Sequence, residues 1–225
     1  MKMAVVDLFT GLLGAGKTTL IRHYCEHLAA QGKRYAIIEN EFGFAGVDAA
    51  FLDDCGARMK ELSGGCLCCT MKSGFVEMLI ELSSQVDHVI VEPSGVFTLG
   101  DFFEVALAPA IQASYEIGII ATVLDASMRT LLAEDDTALF IAQLCGTGSV
   151  VVNRCSMLHP QTAILAEIRC HTEAPVFLVD SPAAIPDFTA MQSCRPQAPV
   201  TIRADISHAT IYQSTTMFPV HSYTI

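Results

Sequence analysis

Short apolar runs bounded by turn residues alternate along the chain with stretches in which apolar positions recur at helical spacing. The pattern predicts a strand over Ala4 to Phe9, a helix over Lys17 to Ala30 and a strand over Tyr35 to Ile38. It continues with a helix from Thr70 to Ser83, a strand from His88 to Val91 and a helix around Leu99 to Leu107. Strands at Ile117 to Leu124, Val150 to Val152 and Val176 to Val179 follow, separated by helices near Asp135 to Leu144 and Gln161 to Arg169. The strands are nearly continuous Val, Ile and Leu, as burial on both faces demands. The expected fold is α/β, a mostly parallel sheet with helices on both faces.

The periodicity breaks after about Ser181, where Pro182, Pro186, Pro196, Pro199 and Pro219 interrupt it. From Val200 to Ile225 the β-branched and aromatic residues favour extended structure. The chain divides accordingly into one α/β domain over residues 1–181 and a short extended C-terminal tail over 182–225.

Composition narrows the setting. A length of 225 residues suits one such domain with a short extension. Hydrophobic residues make up 52% of the chain and the mean hydropathy is +0.44, yet no run approaches the roughly 18 uncharged apolar residues a spanning helix needs. Asp7 interrupts the first apolar run, so it does not read as an export signal, and a cytoplasmic location with no membrane contact is expected. Thirteen Lys and Arg stand against 24 Asp and Glu, a formal charge of −11, with no basic cluster longer than Lys33-Arg34; this disfavours nucleic acid as a partner. In that compartment the nine cysteines are expected to be thiols or metal ligands. Cys25, Cys55, Cys145, Cys155, Cys170 and Cys194 are scattered and read as ordinary thiols.

Residues 11 to 18, Gly-Leu-Leu-Gly-Ala-Gly-Lys-Thr, fill the template G-x-x-x-x-G-K-[ST] between the first strand and the first helix. Gly11, Gly14 and Gly16 let the backbone curl so that N–H groups face phosphate oxygens at the positive end of the helix. Lys17 is suited to neutralise β- and γ-phosphate charge, and the Thr18 hydroxyl to ligate Mg²⁺. Glu92-Pro93-Ser94-Gly95 stands where such proteins carry a second acidic residue, at the end of a neighbouring strand, so Glu92 is a candidate Mg²⁺ residue. Glu39-Asn40-Glu41-Phe42-Gly43 closes the second strand, with Asp48 beyond it. Carboxylates there would repel a γ-phosphate unless they bind metal or orient the attacking water, which makes Glu41 a catalytic or metal-binding candidate.

Gly64-Gly65-Cys66-Leu67-Cys68-Cys69 gathers three thiols within four residues. Thiolates select Zn²⁺ and other borderline or soft ions, and a tetrahedral site would need a fourth ligand from Glu41, a histidine, water or a partner protein. The same spacing also suits a redox pair.

Taken together, Gly-Leu-Leu-Gly-Ala-Gly-Lys-Thr-Thr (11–19), Glu-Asn-Glu-Phe-Gly (39–43), Gly-Cys-Leu-Cys-Cys (65–69) and Glu-Pro-Ser-Gly (92–95) resemble the CobW-type GTPases, relatives of the HypB and UreG nickel chaperones, over roughly residues 3 to 180. The resemblance implies a P-loop NTPase fold, with GTP and Mg²⁺ as nucleotide and cofactor. It implies that Gly14, Ala15, Gly16, Lys17, Thr18 and Thr19 bind the phosphates, and that Glu92 assists Mg²⁺. Cys66, Cys68 and Cys69, with Glu41, would hold Zn²⁺ or Co²⁺ for delivery to a client metalloprotein. A homodimer paired across the nucleotide face is a further implication.

One motif departs from the family. Its guanine reader, Asn-Lys-x-Asp, is here Asn153-Arg154-Cys155-Ser156. Asn153 and Arg154 remain base-site candidates, but Ser156 replaces the aspartate that accepts the guanine N1–H and 2-amino hydrogens, a loss of about 2–3 kcal/mol of discrimination. ATP therefore stays beside GTP as the nucleotide. The C-terminal domain usual in CobW proteins could be represented only by the tail. The same residues also suit a non-hydrolysing nucleotide and metal sensor or adaptor, or an activator of a corrinoid or other metalloenzyme.

Overall fold

The computed structural model describes residues 3–39, 58–61, 72–93, 99–126, 134–157, 162–180, 184–196, 204–205 and 208–209. Seven parallel strands form one sheet in the order β3-β2-β4-β1-β5-β6-β7. They are β1 (Ala4–Thr10), β2 (Tyr35–Glu39), β3 (Arg58–Glu61), β4 (His88–Glu92), β5 (Tyr115–Asp125), β6 (Ser149–Asn153) and β7 (Val176–Val179). The helices are α1 (Lys17–Ala30), α2 (Lys72–Leu82), α3 (Leu99–Ala106), α4 (Pro109–Gln112), α5 (Glu134–Leu144), α6 (Thr162–His171) and α7 (Phe188–Ser193). A two-residue antiparallel pair, β8 (Ala204–Asp205) with β9 (His208–Ala209), stands as a separate small sheet.

Strand periodicity sorts the core by face. Ala36, Ile38, Val89 and Val91 pack with Phe75, Leu79 and Phe102 of α2 and α3. Their neighbours Ile37 and Ile90 point the other way, onto Leu20, Tyr24 and Leu28 of α1. In β6, Val150 and Val152 meet Leu144 and Ile168, whereas Val151 joins the α1 side. Both faces are covered, which is why the strands read as unbroken apolar runs.

Three features were not anticipated from the sequence. β3 reads Arg-Met-Lys-Glu, a polar stretch at the edge of the sheet. Within the Pro-interrupted segment, α7 begins at an Asp187 cap that accepts from the Ala190 N–H, and it buries Phe188 and Met191 against Tyr24 of α1. Asp7, which interrupts the apolar run of β1, is fully buried. Its Oδ1 accepts the Ile119 N–H at 2.7 Å where β5 carries an extra residue, since Val6 pairs with Ile117 but Leu8 with Ile120. Its Oδ2 accepts from the Tyr24 hydroxyl at 3.1 Å and lies 2.8 Å from His88 Nδ1, so the buried carboxylate is fully engaged.

Candidate functional site

The loop between β1 and α1 is built on left-handed backbone. Gly11 (φ 143°) passes so close to the Val123 carbonyl of β5 that a Cβ would collide with it. Gly16 (φ 97°) is the N-cap of α1, with no side-chain cap bond, and a Cβ there would strike the Asn153 amide. The first-turn N–H groups of a helix have no intrahelical acceptors, and here no side chain caps them; the loop is thus an anion-facing helix start. The Lys17 ammonium, buried with its stem, donates back across the loop to the Gly11 and Leu12 carbonyls at 3.0 and 3.1 Å.

Thr18, on the first turn of α1, donates its hydroxyl to Glu92 Oε1 at 2.9 Å, joining the loop to the end of β4. Glu92 is buried. A hydroxyl and a carboxylate at the carboxyl edge of a parallel sheet are hard oxygen donors of the kind Mg²⁺ takes, so the pair fits that ion. Glu92 pairs in register with Glu39 of β2, and Glu39 with Glu61 of β3, so the chain leaves β3 at this same edge. Glu41, Asp48, Cys66, Cys68, Cys69 and Gly95 lie outside the described residues. Among the described residues no group of three or more His, Cys, Asp or Glu stands where it could hold a metal ion. None of their helices is long and apolar enough to cross a membrane.

The other flank of the loop is a solvent-open depression lined by Gly16, Thr19, His23, Asn153, Arg154 and Val179 among others. Asn153 donates to the Ala15 carbonyl at 2.6 Å, and Arg154, itself left-handed (φ 55°), donates to the Gly14 carbonyl at 3.1 Å. The second arm of the Arg154 fork pairs with Asp125 Oδ2 at 2.9 Å, at the end of β5. A planar guanidinium spans both acceptors, where an ammonium on one stem would serve them less well. The geometry thus brings together Gly11, Gly14, Ala15, Gly16, Lys17, Thr18, Thr19, Glu92, Asn153 and Arg154. Asp125 and His23 escaped the sequence reading. Asp125 directly follows the apolar run of β5 at the edge where ligands gather, and His23 lies four residues beyond Thr19 on the same face of α1.

Comparison with known proteins agrees with this architecture. The zinc chaperone CobW of Pseudomonas aeruginosa is 29% identical over 211 residues, covering 78% of this chain and 56% of that protein. The zinc chaperone YeiR of Escherichia coli is 32% identical over 166 residues, covering 71% of this chain and 49% of that protein. The chain therefore spans about half the length of the curated relatives it matches. In fold it resembles the Zn(II)-bound YjiA GTPase from E. coli, with a TM-score of 0.63 at 21% identity over 85% of this chain and 61% of that one. The family model for the CobW/HypB/UreG nucleotide-binding domain matches residues 5–175, which takes in the loop, the Thr18–Glu92 contact and the Asn153–Arg154 turn. This chain belongs to that family.

Proposed function

We propose that this chain is the GTP-hydrolysing domain of a metallochaperone, taking up a divalent metal on the Cys66, Cys68, Cys69 loop with Glu41 and delivering it to a client metalloprotein. One observation carries the reading: Thr18 bonds Glu92, and Glu92 stands in register with Glu39 and, through it, with Glu61, the residue from which the chain runs on to the thiols. Phosphate contacts and the root of the thiol loop thus share one sheet edge, so a change in one can bias the other. The zinc chaperones among its relatives support a metal cargo, and Zn²⁺ or Co²⁺ suits the donor set.

In the reaction, water adds to the γ-phosphorus as the bond to the β-phosphate oxygen breaks, giving GDP and inorganic phosphate. Lys17 neutralises charge on the β- and γ-oxygens, the first-turn N–H groups of α1 hold the phosphates, and Glu41 orients the water. Mg²⁺, held by Thr18 and Glu92, would supply further neutralisation of the phosphate oxygens. Residues 1–181, with α7 packed on α1, carry this chemistry in our reading, and two copies pair across the nucleotide face. The test is phosphate release with GTP and Mg²⁺, with and without Zn²⁺ or Co²⁺. Lys17→Ala should abolish turnover, and Cys66→Ala with Cys68→Ala should weaken metal affinity while nucleotide binding persists. Unchanged turnover in the first or unchanged metal titration in the second refutes the corresponding half.

A further inference from the structure

The turn that follows Asn153 and Arg154 carries Ser156 where the family has an aspartate, yet a carboxylate stands beside that turn. Asp180 directly follows Val179, the β7 residue paired in register with Asn153. Its Oδ1 accepts a hydrogen bond from the thiol of Cys155, the residue immediately before Ser156. Val179, immediately before Asp180, lines the depression with Asn153 and Arg154. Asp180 is exposed whereas Cys155 is buried. The thiol is pushed up to about 11, first by burial and then by Asp180 itself, so at neutral pH it is a neutral donor that holds the carboxylate in place. A carboxylate has about four acceptor positions and the thiol takes one.

We propose that Asp180 reads the guanine base, supplying from the end of β7 the paired acceptor that Ser156 does not; this rests on the nucleotide-binding role given above. Guanine presents N1–H and a 2-amino N–H side by side, which two carboxylate oxygens match. Adenine presents a bare N1 and a C–H at the same edge, so it is met by repulsion and an unsatisfied acceptor. An amide in place of the carboxylate offers one donor and one acceptor, the complement of the xanthine edge.

The experiment is competition of GTP, ATP and XTP for the full chain with Mg²⁺, using wild type, Asp180→Asn and Ser156→Ala. Wild type should favour GTP over ATP by at least about 150-fold, the lower bound for two hydrogen bonds to a charged acceptor. Asp180→Asn should lose that preference and gain XTP, while its ATP affinity stays within about threefold of wild type, which also reports an intact fold. Ser156→Ala should keep the wild-type ratios. A wild type indifferent to the base, an Asp180→Asn that keeps the wild-type ratios, or a Ser156→Ala that loses them would overturn the proposal while leaving nucleotide binding standing. A chain that binds no triphosphate would overturn both.

Discussion

Gly14 and Gly16 both have left-handed backbone, but their surroundings differ, and that difference gives a quantitative prediction. An L-residue at either position meets a backbone penalty of about 1–2 kcal/mol. At Gly14 (φ 77°) a Cβ would meet nothing within 4 Å, so the cost of Gly14→Ala ends there. At Gly16 the Cβ would drive into the Asn153 amide and displace it from the Ala15 carbonyl, adding about 0.5–1.5 kcal/mol for the broken bond. Gly16→Ala should therefore destabilise by about 1.5–3.5 kcal/mol, the excess over Gly14→Ala being the Asn153 contribution. The assay is urea unfolding of both variants and of each combined with Asn153→Ala. Removing the Asn153 side chain should bring the Gly16→Ala cost down to that of Gly14→Ala, a coupling of about 0.5–1.5 kcal/mol, and leave the Gly14→Ala cost unchanged. Equal costs for the two single variants, or no coupling to Asn153, would refute the reasoning.

Arg154→Ala should weaken nucleotide binding and lower the melting temperature, because it removes the clamp between the Gly14 carbonyl and Asp125. Arg154→Lys, keeping charge but not the fork, should recover less than half of either loss; full recovery by lysine would remove the bidentate role. For pH, the folded protein holds the Cys155 proton more tightly than the unfolded chain does. Its contribution to stability is thus complete below the ordinary thiol range and is lost as pH rises through about 11. Denaturation midpoints followed from pH 8 upward should fall more steeply for wild type than for Cys155→Ala, and parallel profiles would contradict the buried, donor state.

Legibility in the sequence followed burial. Strands covered on both faces, such as β4 and β6, announce themselves as apolar runs, and the phosphate loop is fixed by local backbone requirements within eight residues. β3 was illegible because an edge strand of Arg, Met, Lys and Glu carries no apolar pattern. α7 hid between prolines, although Asp187 before Phe188 is a cap signal in retrospect. Asp7 looked like an interruption because its partners Tyr24, His88 and Ile119 are 17, 81 and 112 residues away, and no local window contains them. The same holds around the Asn153–Arg154 turn: Arg154 is plain in sequence, but Asp125 meets it, and Asp180 meets Cys155, only through strand register.

The strand order also dictates a timetable. β1, near the start of the chain, sits at the centre of the sheet, and its two neighbours are β4, beginning at His88, and β5, beginning at Tyr115. During synthesis the glycine loop emerges before both of these neighbours. Its latch at Glu92 and its wall at Val123 follow only after roughly 75 and 105 further residues, at the usual elongation rate several seconds later. Parallel pairing across such separations is slow in any case. Until then the loop is an unsupported glycine-rich strand end, so competence to grip a nucleotide arrives late and all at once, when the middle of the sheet closes.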